Sequence, residues 1–271
     1  MLDLDSYLRR IGYKGPRGAT LETLRSLHAL HPRAIPFENL DTLRGVPVRL
    51  DLDSLQRKLV HGRRGGYCFE QNTLFRHVLE ALGFHVTVLA ARVVWERPQA
   101  EPRARTHMLL LVELGPNDLH LCDVGFGGLT LTAPLRFPEL DVAQPTPHEH
   151  FRVSSRDGYF EVAADIGDEW KPLYRFSLEP QLPVDIELLN HYVVSHADSP
   201  MLGRLVAARA APDRRFALGN GMLKVYRLDG ESEERGIRTV VELRDVLKST
   251  FGIDVPAGAE SDAALARVLR D

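Results

Sequence analysis

Cysteine is nearly absent from this chain: Cys68 and Cys122 are the two among 271 residues. A disulfide framework of the kind that staples small secreted domains is therefore excluded, and each thiol needs its own explanation. Long apolar runs are missing too. The longest clear one, Met108 to Val112, is far too short to span a bilayer. The N-terminus, MLDLDSYLRR, is acidic where a secretory signal is basic and then apolar. The chain is thus expected to be soluble, unexported and cytoplasmic. Neither charge is in excess: 34 basic and 37 acidic side chains leave a formal −3, which argues against nucleic acid or an anionic membrane as the main partner. Any polyanion would need a local site. Repeats, low-complexity tracts and Gly/Ser linkers are also lacking. What remains is an ordinary globular composition, 44% hydrophobic and 26% charged, in a chain long enough for one to three units around a sizeable core.

Without linkers, internal borders have to be read from changes in hydrophobic period. Up to Gly83, apolar residues recur at helical spacing: Leu4, Tyr7, Leu8 and Ile11; Leu21, Leu24 and Leu27; Leu52, Leu55 and Leu59; Phe75, Val78, Leu79 and Leu82. This predicts a helical bundle over 1–83. From Phe84 the pattern turns to short β-branched and aromatic runs, Val86 to Trp95, His107 to Leu114, Leu119 to Val124 and Tyr159 to Ala163, which predict antiparallel sheet or barrel. A helical stretch near Asp185 to Tyr192 closes that unit, 84–192. The remainder, 193–271, reads as α/β, with a hairpin turning at Asn220-Gly221 and helices near Val240 to Phe251 and Ser261 to Leu269.

Cys68 has the most informative surroundings, RRGGYCFE. Two glycines end an irregular segment and a helix begins directly after them, so the thiol is expected at a helix N-terminus. Unpaired backbone N–H groups and the helix dipole stabilise a thiolate there, and Arg63 and Arg64 could add to it. The local window leaves two readings open, a nucleophile or a small buried hydrophobe. A base can be sought by strand geometry. His107 begins one strand and Asp123 ends another, with Gly115-Pro116-Asn117-Asp118 as the turn. In a hairpin of even register the two face each other directly or sit as diagonal neighbours on one face, within about 8 Å. An odd register would put them on opposite faces. Cys68, His107 and Asp123 then supply a nucleophile, a general base and a group that sets the imidazole tautomer, and their joint placement favours catalysis over a core histidine with a satisfied aspartate.

Other candidates are weaker. Gly125-Phe126-Gly127-Gly128 could form an anion-binding nest, but it is neither GxGxxG nor a Walker A sequence, and a plain turn or bulge is the commoner explanation. His148-Glu149-His150 lies in a Pro-rich segment without further ligands at recognised spacing, which favours a solvated loop over a metal site. Cys122 reads as packing, His191 and His196 as helix surface, and the run Glu231, Glu233, Glu234, Arg235, Arg238 as a solvated loop.

RRGGYCFEQN around Cys68, RTHMLLLV around His107, LCDVGFGG around Asp123 and the upstream LHALHPRAIPFENL resemble, in order and spacing, the blocks of prokaryotic-type arylamine N-acetyltransferases. LLNHYVVSHADSP and FGI fit as well, so the likeness covers nearly the whole chain. The resemblance implies an α+β fold: a cysteine-protease-like core with an N-terminal helical bundle, a central antiparallel β-barrel and a C-terminal α/β lid. It implies ping-pong transfer from acetyl-CoA, a cosubstrate and not a resident cofactor, through a Cys68 thioester to arylamines, arylhydroxylamines or hydrazines, with His107 handling protons, Asp123 orienting it and no metal. Phe37, Gly125, Phe126, Gly127, Gly128 and the region from His196 to Met201 would border the acceptor and CoA cleft. Glu38 and Arg64 would be an ion pair supporting the Cys loop. Met201 stands where the family suggests an aromatic ring, which leaves acceptor preference open; the sequence also leaves open the choice between monomer and homo-oligomer. Three other readings share the triad or lack its chemistry: an amide synthase with a larger, polyketide-type acyl donor, a Cys-His-Asp hydrolase or transglutaminase, and a silent binding module. The acyl acceptor, water or amine, separates the hydrolase; all three triad residues being present disfavours the binding module.

Overall fold

The computed structural model describes residues 1–96 and 103–270. The first third contains α1 (Leu4–Ile11), α2 (Leu21–Ala34), a short strand β1 (Phe37–Glu38), α3 (Leu40–Arg44), α4 (Leu52–Leu55), which widens into a π turn over Gln56–His61, and α5 (Cys68–Ala81). The middle carries β2 (His85–Val93), β3 (His107–Gly115), β4 (Asp118–Cys122), β5 (Leu135–Phe137), β6 (Gln144–Pro145), β7 (His150–Arg156), β8 (Tyr159–Ile166), β9 (Glu169–Phe176) and α6 (Pro183–Ser195). The last part holds β10 (Val206–Ala211), β11 (Arg214–Gly219), β12 (Met222–Arg227), β13 (Ser232–Gly236), α7 (Val240–Ser249) and α8 (Ala259–Val268). Among the described residues no helix is long and apolar enough to cross a membrane.

Local chemistry accounts for the helix ends. Asp3 caps α1 by accepting the Ser6 N–H at 2.9 Å, and Gly12 closes it in the left-handed region at φ 74°. The amphipathic stripes then pack together: Tyr7, Leu24, Leu27, Phe69, Phe75 and Val78 are fully or almost fully buried in one core. The β-branched and aromatic runs form an eight-stranded, nearly closed antiparallel sheet in the order β5-β4-β3-β2-β9-β8-β7-β6, filled by Leu89, Leu109, Leu121, Phe151, Val153 and Leu173 among others. The third core lies under a meander, β10-β11-β12-β13, against α7 and α8.

Two features depart from the reading of the sequence. The first and last parts share a sheet, because β1 pairs with β10 in the register Phe37↔Ala208, and Leu40 and Leu43 join the third core. The charge run taken as a solvated loop is largely strand β13, exposed and paired to β12 through Val225↔Glu233 and Lys224↔Glu234. A charged edge strand blunts edge-to-edge association, and its composition looks the same as that of a loop.

Candidate active site

Cys68 is the first residue of α5, 4% exposed, where its backbone N–H has no acceptor within the helix. Its position depends on two glycines that admit no side chain. A Cβ on Gly65 would lie 1.9 Å from the Pro36 carbonyl oxygen, and one on Gly66 2.7 Å from Glu70 Oε2. Gln71 then locks the loop from below, its Nε2 donating to the Pro36 and Gly66 carbonyls at 2.7 and 3.1 Å. The amide's other end meets His31, which in turn meets the Tyr7 hydroxyl at 2.8 Å.

The β3–β4 hairpin has the even register in which Leu110 faces Cys122, so His107 and Asp123 are diagonal neighbours on one face. His107 Nε2–H donates to Asp123 Oδ2 at 2.7 Å, both groups buried. Asp123 also accepts from Asn72 Nδ2 at 3.0 Å and from the Gly125 N–H at 2.9 Å. Burial opposes its charge, yet His107, Asn72 and Gly125 hold the carboxyl below the ordinary aspartate range. Burial likewise opposes a charged His107, but the Asp123 carboxylate and the Cys68 sulfur outweigh it and hold the imidazole pKa up at about 10. Because Nε2 is committed to Asp123, Nδ1 is left for Cys68. The Phe126 and Tyr174 rings flank the imidazole with centroids at 5.2 and 4.8 Å. Chemically, this set can present a nucleophilic sulfur beside an imidazole whose Nε2 proton is held by Asp123.

Three supporting residues belong to no triad motif in the sequence. Asn72 lies one turn beyond Cys68 on α5 and ties it to the hairpin: besides Asp123 it donates to the Met108 carbonyl at 2.8 Å and accepts the Val124 N–H at 3.1 Å. His28 accepts the Asp123 N–H at its Nε2, 3.1 Å away, and is kept neutral by burial, with a pKa lowered to about 4. Gln71 completes the set. The available signal was the placement of His28, His31 and Asn72 on otherwise apolar helical faces.

The glycine loop is first of all a close-packed turn. A Cβ on Gly125 would come within 2.9 Å of Cys68 Cα, Gly127 has φ 96°, and Thr130 staples the loop by donating to the Asp123 carbonyl and accepting the Phe126 N–H. Arg64 does not reach the thiol. Its guanidinium binds Glu38 at 2.6 Å and Asp41 at 3.0 Å, so the expectation that it adds to thiolate stabilisation is corrected, while the pairing with Glu38 is present. His148-Glu149-His150 is not a solvated loop either. Glu149 pairs with buried Arg215, His148 Nε2 donates to the Ala211 carbonyl at 2.7 Å, and His150 opens β7. Arg215 also donates to the Gly128 and Thr130 carbonyls, which clasps the glycine loop to β11.

Below the Cys loop, Lys58 bridges Glu70 and Asp41, each at 2.7 Å. Burial opposes the lysine's charge, but Glu70, Glu38 and Asp41 together keep it cationic. With Lys58 shared between Glu70 and Asp41, fully buried Glu70 is pushed up from 4.5 to about 7 by burial, against the pull of Lys58. A carboxyl with a raised folded pKa binds protons more tightly in the native state, so its stabilisation is present below about pH 4.5 and fades as pH rises through 7. Chemical denaturation should show the wild type losing about 2 kcal/mol between pH 5 and 8 that Glu70→Gln does not lose. Parallel pH profiles for the two proteins would refute this.

Cys68, His107, Phe37, Gly125, Phe126 and Gly128 all line one cavity of about 1,700 Å³, with Met201, Tyr192 and Val193 on its wall. A Cβ on Gly127 would lie 3.7 Å from the Phe37 ring, and His196 stacks on Tyr192 at 4.3 Å without lining the space. Among the described residues no group of three or more His, Cys, Asp or Glu side chains is arranged to hold a metal ion.

A helix-start thiol, a buried His–Asp pair and a large shared cleft, on helices joined to a barrel-like sheet, define an acyl-transfer enzyme. The model of a family described as N-acetyltransferase matches residues 20–259. The arylamine N-acetyltransferase of Mycolicibacterium smegmatis is 42% identical over 273 residues, 99% of this chain and 98% of that protein. A solved structure from M. smegmatis superposes with a TM-score of 0.95 at 41% identity, covering both chains completely. The Mycobacterium marinum enzyme, solved in complex with CoA, gives 0.93 at 41% identity over 98% of this chain and 99% of that one. The chain belongs to the arylamine N-acetyltransferase family.

Proposed function

We propose that this protein transfers an acetyl group from acetyl-CoA to small arylamines, arylhydroxylamines or hydrazines by a ping-pong mechanism through Cys68. The observation that carries the reading is the hydrogen-bonded His107–Asp123 pair, with Cys68 and His107 both lining the wall of the 1,700 Å³ cleft. In the first half-reaction the Cys68 thiolate attacks the thioester carbonyl, the bond from carbonyl carbon to CoA sulfur breaks, and His107 gives its proton to the departing thiolate. In the second, the amine nitrogen attacks the acetyl-enzyme, His107 takes its proton, and Cys68 leaves as a thiolate. Asp123 keeps the imidazole oriented throughout. The cleft exceeds the range usual for drug-sized ligands, in keeping with a donor as large as CoA. Arg204 also lines it and supplies a local cation for the CoA phosphates, joined by Lys224 and Arg227, which are paired with Glu234 and Glu233; a chain of net charge −3 cannot attract those phosphates by its overall field. The division of labour follows the three parts of the chain: 1–83 brings the nucleophile, 84–192 the base and orienting acid, and 193–271 covers the cleft.

Intact-mass analysis after mixing with acetyl-CoA tests this. The wild type should gain one acetyl group, Cys68→Ala none, and an aromatic amine or hydrazine should discharge the adduct with formation of the amide. An equal adduct on Cys68→Ala sinks the mechanism. Discharge by water alone assigns a hydrolase, and charging only by bulkier acyl thioesters assigns an amide synthase.

A further inference from the structure

Four arginines converge on a second cavity, of about 550 Å³, that shares no lining residue with the cleft: Arg10 on α1, Arg33 near the end of α2, Arg63 ahead of the Cys loop and Arg209 on β10. Two are held rigidly by backbone carbonyls. Arg10 Nε donates to Leu59 at 3.2 Å, while Arg209 donates through Nε to Arg33 and through Nη1 to Thr250, each at 2.8 Å. These bonds spend part of each guanidinium and leave the rest facing the cavity. Arg10 Nη2 is buried without an acceptor among the described residues. The Arg33 and Arg63 side chains make no ion pair with an acid among the described residues.

Arg33 and Arg63 are exposed, whereas Arg10 and Arg209 are partly buried, so repulsion is felt most by the inner pair, where water screens it less. Burial together with Arg63 and Arg209 lowers the Arg10 pKa to about 10; Asp254 acts the other way, but it is exposed and lies 3.4 Å from Lys248. The Arg209 pKa is lowered by burial and by Arg33. Both remain cations at neutral pH. Guanidinium forks match oxyanions with several acceptor oxygens and more than one charge.

We propose that Arg10, Arg33, Arg63 and Arg209 form a binding site for a phosphate-type oxyanion, either inorganic phosphate or the phosphomonoester of a small molecule. The cavity has room for a small organic group beyond the phosphate. Arg63 has φ 49°, a conformation unfavourable to a side chain, and directly precedes Arg64 of the Cys loop, so an anion on its guanidinium would steady the segment that carries Cys68.

Thermal melting and calorimetric titration of the full chain with sodium phosphate and glycerol phosphate, against sodium chloride at matched ionic strength, test the site. The wild type should show saturable binding and a rise in Tm that chloride does not reproduce. Arg33→Gln/Arg63→Gln should weaken phosphate binding roughly a hundredfold, two charge-assisted contacts at about tenfold each. In chloride the same variant should melt no lower than the wild type, because repulsion is relieved. Should the pair fail to fold, Arg33→Gln alone should lose roughly tenfold. Tighter binding of the ester assigns the phosphomonoester; equal or tighter binding of phosphate assigns the free ion. An affinity unchanged in the variants, or a wild-type response that chloride matches, overturns the proposal.

Discussion

Asp123→Asn should slow acetylation of Cys68 by about a thousandfold to ten-thousandfold, the loss that follows when the aspartate of a triad becomes its amide. The geometry says why. Asp123 receives three donors, from His107, Asn72 and Gly125. An asparagine can keep the Asn72 and Gly125 bonds through its single carbonyl oxygen, which leaves its amide N–H₂ pointing at His107 Nε2. That nitrogen must then act as an acceptor, so the proton moves to Nδ1, the edge that Cys68 needs free. The imidazole also loses the carboxylate that holds its pKa at about 10, and burial drives it neutral at pH 7. Two readouts separate this from a general loss of structure. Stopped-flow acetylation should fall while Tm changes little, and alkylation of Cys68 by iodoacetamide near pH 7 should slow at least tenfold. A variant acetylated within tenfold of the wild-type rate would show that Asp123 does not set the tautomer.

That pair was legible as a condition, because strand geometry is periodic: positions 107 and 123 share a face only in an even register, and a bulge between Glu113 and Gly115 supplies it by shifting the odd pairing at the turn, Gly115↔Asp118, to Glu113↔Leu119. The helix start at Cys68 was equally legible from Gly65, Gly66 and the apolar stripe that follows. What stayed hidden depends on contacts distant in the chain. The pairing of β1 with β10 joins Phe37 to Ala208, and no local pattern marks a two-residue strand. Arg64 stands near Cys68 in sequence, and the resemblance alone pointed it to Glu38; the second buried carboxylate that draws it away, Asp41, carried no signal. Glu149 read as part of a solvated loop because its partner, Arg215, comes from another sheet. His28 was within reach of inference, since a histidine on the stripe of Leu24 and Leu27 has to satisfy its nitrogens somewhere; that it would support Asp123 from behind was not.

Arg64→Met should cost about 3–5 kcal/mol and lower Tm by roughly 10 °C, although residue 64 touches no reacting atom. Among the described residues, the guanidinium is the one side-chain cation that binds Glu38, a fully buried carboxylate. Glu38 would keep the Leu40 and Gly65 N–H groups at 2.7 and 3.2 Å, but two amide dipoles do not replace a cation for a charge removed from water. Asp41 would suffer less, because Lys58 still reaches it at 2.7 Å and Arg44 at 3.6 Å. The loss concentrates on the Gly65 segment, which Glu38 anchors and which has no space for a Cβ with which to pack instead. Unfolding should therefore begin with release of the Cys loop, so that acetylation fails at temperatures where most of the fold persists. The pair also supplies its own control. Glu38→Gln/Arg64→Met removes both charges and should recover a large part of the stability lost in the single variant, since an unpaired buried charge costs more than an absent pair. If Arg64→Met alone costs less than about 1 kcal/mol, or the double variant is no more stable than the single one, buried charge pairing is not what holds Cys68 at the start of its helix.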